Sequence, residues 1–172
     1  GNPMLPFSTA SQRVTLRTAS SAQRGTSITP MTSPSAPSAG LESTPTLQGK
    51  RFAKTTADAH LIARSICSSS LVKTAIHGRD PNWGRVIAAS GRAGVVFSPS
   101  AVALWFGPYQ LVQDGKPLDF DRLRVSTYIN QRIQGSYLID DTVCIRLSVG
   151  SGPASGICWG CDLSEQYVRI NA

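Results

Sequence analysis

The spacing of apolar residues changes along this chain, and each change marks an element. From Thr56 to Ser68, Ala59, Ile62, Ala63 and Ile66 recur at steps of three and four, with Leu61 beside them. That spacing predicts an amphipathic helix of about three turns. Thr55 and Asp58 form a capping-box pattern in front of it, with the acid at the positive end of the helix. Ser68-Ser-Ser70 ends it by competing for its backbone groups. Near the other end of the chain the period drops to two. Val143, Ile145, Leu147 and Val149 alternate with polar residues and face one side of the clearest strand. Gly150-Ser-Gly152-Pro153 closes it.

The middle is less regular. Leu71–Ile76 and Val86–Ser90 read as strands, although the second run also reads as the start of a helix. Val95–Phe97 is a short apolar piece. Ala101–Phe106 and Tyr109–Gln113 read as strands broken at Gly107-Pro108, and Asp114-Gly115 is a tight-turn signal. Asp119–Tyr128 is the second helix, with Leu123 and Thr127 four apart. Gly156–Cys161 and Gln166–Ile170 form a last pair of strands. The sum is an α+β fold: a mixed sheet with two helices packed on one side, preceded by a disordered N-terminal tail.

Between the first two apolar runs lies the densest group of special residues, His77-Gly-Arg-Asp-Pro-Asn-Trp-Gly-Arg85. Asp80 precedes a proline, which favours an extended or turn conformation. Asn82 can bond its own backbone. Trp83 brings a large apolar face with one N–H to satisfy. This stretch is expected to be a polar turn between packed elements, with Trp83 largely buried against 71–76 and 143–149. Arg85 is expected to find a carboxylate, with Asp80 nearest in sequence.

Composition divides the chain near residue 50. Residues 1–48 hold 17 Ser or Thr and six Pro, with Glu42 the sole acid. Such a stretch buries too little to offset the entropy of ordering. Its acid-poor, Arg- and Ser-containing make-up is that of an organellar transit peptide or of a plain tail. The net charge of +7 is spread over both parts, +3 in 1–50 and +4 in 51–172, without Lys/Arg blocks or interleaved aromatics. Nucleic-acid binding is disfavoured on that ground. No apolar run approaches the roughly 20 residues that span a membrane. Cys67, Cys144, Cys158 and Cys161 are the four thiols. Cys158-Trp-Gly-Cys161 leaves three readings open: buried thiols, a redox pair, or half of a metal site.

Several motifs carry a resemblance. Ser70-Leu-Val-Lys-Thr-Ala-Ile76 followed by Gly78-Arg-Asp-Pro-Asn-Trp-Gly-Arg85 resembles the second-half signature of the ornithine acetyltransferases, the bifunctional glutamate N-acetyltransferases of arginine biosynthesis. Pro117-Leu-Asp-Phe-Asp-Arg122, Ser126-Thr-Tyr128, Gly150-Ser-Gly152, Trp159-Gly-Cys-Asp-Leu-Ser164 and Tyr167-Val-Arg-Ile-Asn171 follow in the same order. The similarity runs from about Ala57 to the C-terminus and looks closest to the photosynthetic branch.

The resemblance implies an acyl transferase with a Thr nucleophile exposed by self-cleavage. That Thr takes an acetyl group from N-acetylornithine and passes it to glutamate, with no cofactor. It also implies αβ pairs that associate further. The segments that would carry the nucleophile, the oxyanion Thr-Gly pair and the substrate Lys have no counterpart here. Gln48-Gly-Lys-Arg-Phe-Ala53 stands where a substrate-binding Glu is expected. This chain alone is therefore expected to be inactive, with no catalytic residue of its own and with Asn171 its one substrate-binding residue. A non-catalytic remnant acting as an interaction module is the alternative. The expected partners are the two small substrates and the missing first subunit, without nucleic acid or membrane. The expected location is an organelle, chloroplast before mitochondrion. Thr55 and Thr56 read as helix caps before nucleophiles, and His77 as a satisfied core histidine before a base. Asp80, Asn82 and Arg85 read as a structural network before a pocket lining, and Asp140-Asp141 as a solvated turn.

Overall fold

The structure is a computed structural model, and it describes residues 13–19, 55–136, 140–150, 153–165 and 168–169. Among the described residues six strands form one sheet: β1 (Arg13–Ala19), β2 (Ala103–Phe106), β3 (Tyr109–Gln113), β4 (Lys116–Pro117), β5 (Thr142–Ser148) and β6 (Ser155–Cys161). Their order is β4-β3-β2-β5-β1-β6. β1 is antiparallel to β5 and parallel to β6, and the other pairs are antiparallel, so the sheet is mixed. The helices with defined bounds among the described residues are α1 (Thr56–Ser68), α2 (Ser70–His77), α3 (Trp83–Gly91) and α4 (Arg122–Ile133).

The α+β class and the mixed sheet agree with the sequence reading, and so does α1, end to end. Thr55 Oγ1 accepts from Asp58 N at 3.1 Å while Asp58 Oδ2 accepts from Thr55 N at 3.1 Å, so the capping box is closed. The strands at 109–113 and 142–148 and the Asp114-Gly115 turn also agree. Both turn residues have positive φ, 51° and 72°, as a type I′ hairpin turn requires.

Several expectations are corrected. Leu71–Ile76 and Val86–Ser90 lie in helices α2 and α3, which adds two helices to those expected. A short apolar run fits either state, and caps decide here. Ser69 Oγ accepts from Val72 N, and Asn82 Oδ1 accepts from Arg85 N. In α2 the buried residues are Val72, Ala75 and Ile76, while Leu71 is 57% exposed. The second expected helix starts later, with Asp121 as its N-cap, and runs on to Ile133. Pro99–Ala101 forms a turn of 3-10 helix, so β2 begins at Ala103. In the expected last strand, 166–170, the described residues Val168 and Arg169 are helical. Within the expected disordered tail, Arg13–Ala19 is a strand inside the sheet.

The core lies on one face of the sheet. Val143, Ile145 and Leu147 of β5 and Leu104 and Phe106 of β2 pack with Ile62, Ile66, Ile76, Val86, Val125 and Ile129 of the four helices. β6 presents Gly156, Cys158 and Gly160 to that face. A Cβ on Gly156 would sit 2.6 Å from the backbone of Ala59 and His60, and one on Gly160 would sit 3.2 Å from Cys67 Sγ. Four strand residues and eight helix residues both advance roughly 12–13 Å. The two glycines therefore form a bed along which α1 lies directly on the strand.

Candidate functional site

The polar turn after α2 is built by its caps. Asp80 N donates to Ala75 O at 2.8 Å and Arg79 N to Ile76 O at 3.0 Å. This is a Schellman closure, with Arg79 at φ 56° in the position where glycine is usual. The Arg79 side chain donates to Asn130 Oδ1 at 3.2 Å and to His77 O at 3.0 Å, which ties the turn to α4. Pro81 is buried and Asn82 then caps α3. Asn82 Nδ2 also donates to Asp80 Oδ2 at 2.9 Å.

Asp80, Asn82 and Arg85 do not form one cluster. Asp80 pairs with Arg122 at the start of α4, across 42 residues. Arg85 turns toward α2 instead, donating to Leu71 O at 3.0 Å and Thr74 Oγ1 at 3.3 Å. The expected Asp80–Arg85 pair is thus corrected. One turn into α3, Arg85 faces the first turn of α2, while the carboxylate faces α4. Trp83 is half-buried against the core and not sunk within it. As the first residue of α3 it sits at the rim.

His77 is satisfied, as expected, but it does not lie in the core. Its Nδ1 lies 2.9 Å from Asp162 Oδ2, with the imidazole 38% exposed and the carboxylate 2% exposed. It is a surface histidine held by a buried acid, not a core residue. The partner comes from the Trp159-Gly-Cys-Asp-Leu motif, 85 residues away. Two motifs quoted separately in the sequence thus meet here. Among the described residues no group of three or more His, Cys, Asp or Glu is arranged to hold a metal ion.

The remaining candidates are placed as follows. Thr55 Oγ1 donates to Asp58 Oδ2 at 2.8 Å and Thr56 is the first helical residue, so both serve the cap. Asp140 is exposed, but Asp141 is 4% exposed, so that pair is only partly a solvated turn. Asn171 lies outside the described residues.

The C-x-x-C motif lies along β6, where residues three apart point to opposite faces. Cys158 faces the core and Cys161 is exposed, so the two cannot act as one redox pair. Cys67 on α1 is the neighbour of Cys158. Burial, and then the hydrogen bond with Cys158, push the Cys67 thiol from 9.0 up to about 12. Burial also raises the Tyr128 phenol, whose oxygen accepts from Cys144 N at 3.1 Å and so joins α4 to β5.

Fold and site together define an α+β unit with helices packed on one face of a mixed sheet. The chain belongs to the ArgJ family, which it matches over residues 50–172. It is 66% identical over 115 residues to the arginine biosynthesis bifunctional protein ArgJ of Prochlorococcus marinus (strain MIT 9313), covering 67% of this chain and 27% of that protein. It is 52% identical over 114 residues to ArgJ of a Synechocystis species, covering 66% and 28%. The crystal structure of ArgJ from Bacillus halodurans superposes with a TM-score of 0.62 at 25% identity, over 94% of this chain and 57% of that one. The chain spans just over a quarter of the length of these two curated relatives.

Proposed function

We propose that this chain is the C-terminal part of an ornithine acetyltransferase, one that works only with a nucleophile-bearing partner. The observation that carries this reading is the family match over 50–172 against only 27% coverage of the P. marinus relative. The missing part brings a Thr that takes the acetyl group from N-acetylornithine. The α-amine of that Thr is its base, and oxyanion donors stabilise each tetrahedral state. Glutamate then receives the acetyl group. This chain contributes scaffold around the Asp80–Arg85 turn and, through Asn171, a contact to substrate. The partner is the first subunit of the same enzyme, in αβ pairs that associate further.

The test is acetyl transfer from N-acetylornithine to glutamate, by residues 1–172 alone and with the matching remainder of a relative co-expressed. No turnover alone and turnover together is the expected result. Turnover by the chain alone, abolished by a substitution within it, would refute the reading.

We further propose organellar targeting by residues 1–50, chloroplast before mitochondrion, on their acid-poor composition. β1 favours a structural role for Arg13–Ala19 within that stretch. N-terminal sequencing of the mature protein separates the two. A start beyond residue 19 supports a removed leader, and a start before residue 13 in protein isolated from plastids argues against removal.

A further inference from the structure

The chain leaving β6 is fastened to two successive turns of α2. His77, in the last turn of α2, holds Nδ1 2.9 Å from Oδ2 of Asp162, the first residue beyond the strand. One turn earlier, Lys73 O accepts from Leu163 N at 3.5 Å. The first tie is the stronger. It is short, its acceptor is a carboxylate, and that carboxylate is 2% exposed, so bulk water competes little for it. The His77 end is itself held. His77 O accepts from the Arg79 side chain at 3.0 Å, and the same side chain donates to Asn130 of α4 at 3.2 Å. A continuous set of hydrogen bonds thus runs from α4 through Arg79 and His77 to the exit of β6. His77 adds little packing, since it stands outside the core cluster. What the pair fixes is the direction of the chain. Ser164 O accepts from Val168 N at 3.3 Å, and Glu165, Val168 and Arg169 are helical. Leu163 and Ser164 alone separate Asp162 from that helical stretch, so its course is set close to the carboxylate.

We propose that His77 is a positioning residue: through its bond to Asp162 it fixes the segment after β6, and with it the substrate contact that this segment carries. The second half rests on the reading in the preceding subsection, in which Asn171, two residues beyond Arg169 in the chain, meets substrate. His77 touches neither substrate nor the reacting atoms. Without the imidazole, a buried carboxylate loses a charge-assisted partner and the exit is held less firmly. A contact made equally to substrate and transition state then weakens through KM, with kcat little changed.

The experiment co-expresses residues 1–172 with P. marinus ArgJ from which the matching 115 residues are removed. Four forms of this chain are compared with wild type: His77→Ala, His77→Gln, His77→Asn and Leu123→Ser. Asn carries an amide N–H at about the reach of Nδ1, whereas Gln carries it farther out, near Nε2. Leu123 is 76% exposed on α4 and serves as the control. Amide hydrogen exchange is read over residues 162–169 and, for comparison, over α1. The Ala and Gln variants should exchange roughly tenfold faster in 162–169 and unchanged in α1, as loss of one hydrogen bond to a charged group implies. Their KM for the two substrates should rise roughly tenfold, with kcat within about twofold. The Asn and Leu123 variants should match wild type in both readouts. Unchanged exchange in 162–169, faster exchange everywhere, or an Asn variant that behaves like Ala overturns the proposal. So does a fall in kcat at constant KM. No turnover by the wild-type assembly sinks the enzymatic reading and the substrate half with it, and exchange in the chain alone then decides whether His77 fixes the segment. Turnover with unchanged exchange in the Ala and Gln variants does the reverse: the enzymatic reading stands and His77 has no positioning role.

Discussion

Gly156→Ala tests whether α1 rests directly on β6. An added Cβ would lie 2.6 Å from Ala59 C and His60 N and 2.8 Å from Ala59 O. Favourable carbon contacts lie near 3.5–4.0 Å, so α1 must retreat by about 1 Å. What it meets is backbone, which no rotamer change can move aside. The helix cannot retreat freely, because Ala59, Ile62, Ala63 and Ile66 are all fully buried in the same interface. Overpacking of this kind costs about 1–3 kcal/mol, a large part of the roughly 5–15 kcal/mol that holds a domain together. At a urea slope of about 2 kcal/mol per molar, the midpoint should fall by roughly 0.5–1.5 M. Urea melts of the full chain followed by circular dichroism measure it. Gly91→Ala is the comparison. Gly91 ends α3 with nothing within 4 Å of an added Cβ, so alanine there should raise stability by up to about 1 kcal/mol. A Gly156→Ala midpoint at or above wild type would show that α1 does not bear on β6, and the packing argument would fail.

Other substitutions grade the turn. Asp80 accepts from both Asn82 and Arg122, so Asp80→Ala should cost roughly 1–3 kcal/mol. Arg122→Ala, removing one end of an exposed pair, should cost no more than about 1 kcal/mol in the same melts. Trp83→Ala should cost about 2–3 kcal/mol, less than a fully buried tryptophan would, since only part of its surface leaves water. A wild-type midpoint would place that ring outside the core. The Cys67 thiol gives a pH dependence with a defined sign. Its folded pKa lies above its unfolded value of 9.0, so its contribution is intact below pH 9 and is lost as pH rises toward 12. Cys67→Ala should flatten this alkaline slope, and an unchanged slope would assign it to another group.

What this sequence settles by itself lies within about four residues of each position. Thr55 and Asp58 close a capping box whose partners are three apart, and Asp114-Gly115 adopts the one backbone turn its residue types favour. The alternation from Val143 to Leu147 sets which side of β5 is buried, and the ordered motifs from Ser70 onward point to the family. Tertiary structure decides the rest, because the deciding partners are distant in the chain. Leu71–Ile76 reads as a strand until the Ser69 cap and the burial of Val72, Ala75 and Ile76 make it helical. Asp80 has Arg85 near it in sequence but finds Arg122, and His77 finds Asp162. β1 reads as part of a tail until it is seen between β5 and β6, where its backbone groups pair on both sides. Cys158 and Cys161 look like one motif, yet the strand's two-residue period sends them to opposite faces. Local periods and caps are written in neighbouring residues. Which distant surfaces meet is settled only when burial and hydrogen bonding are satisfied together across the whole sheet.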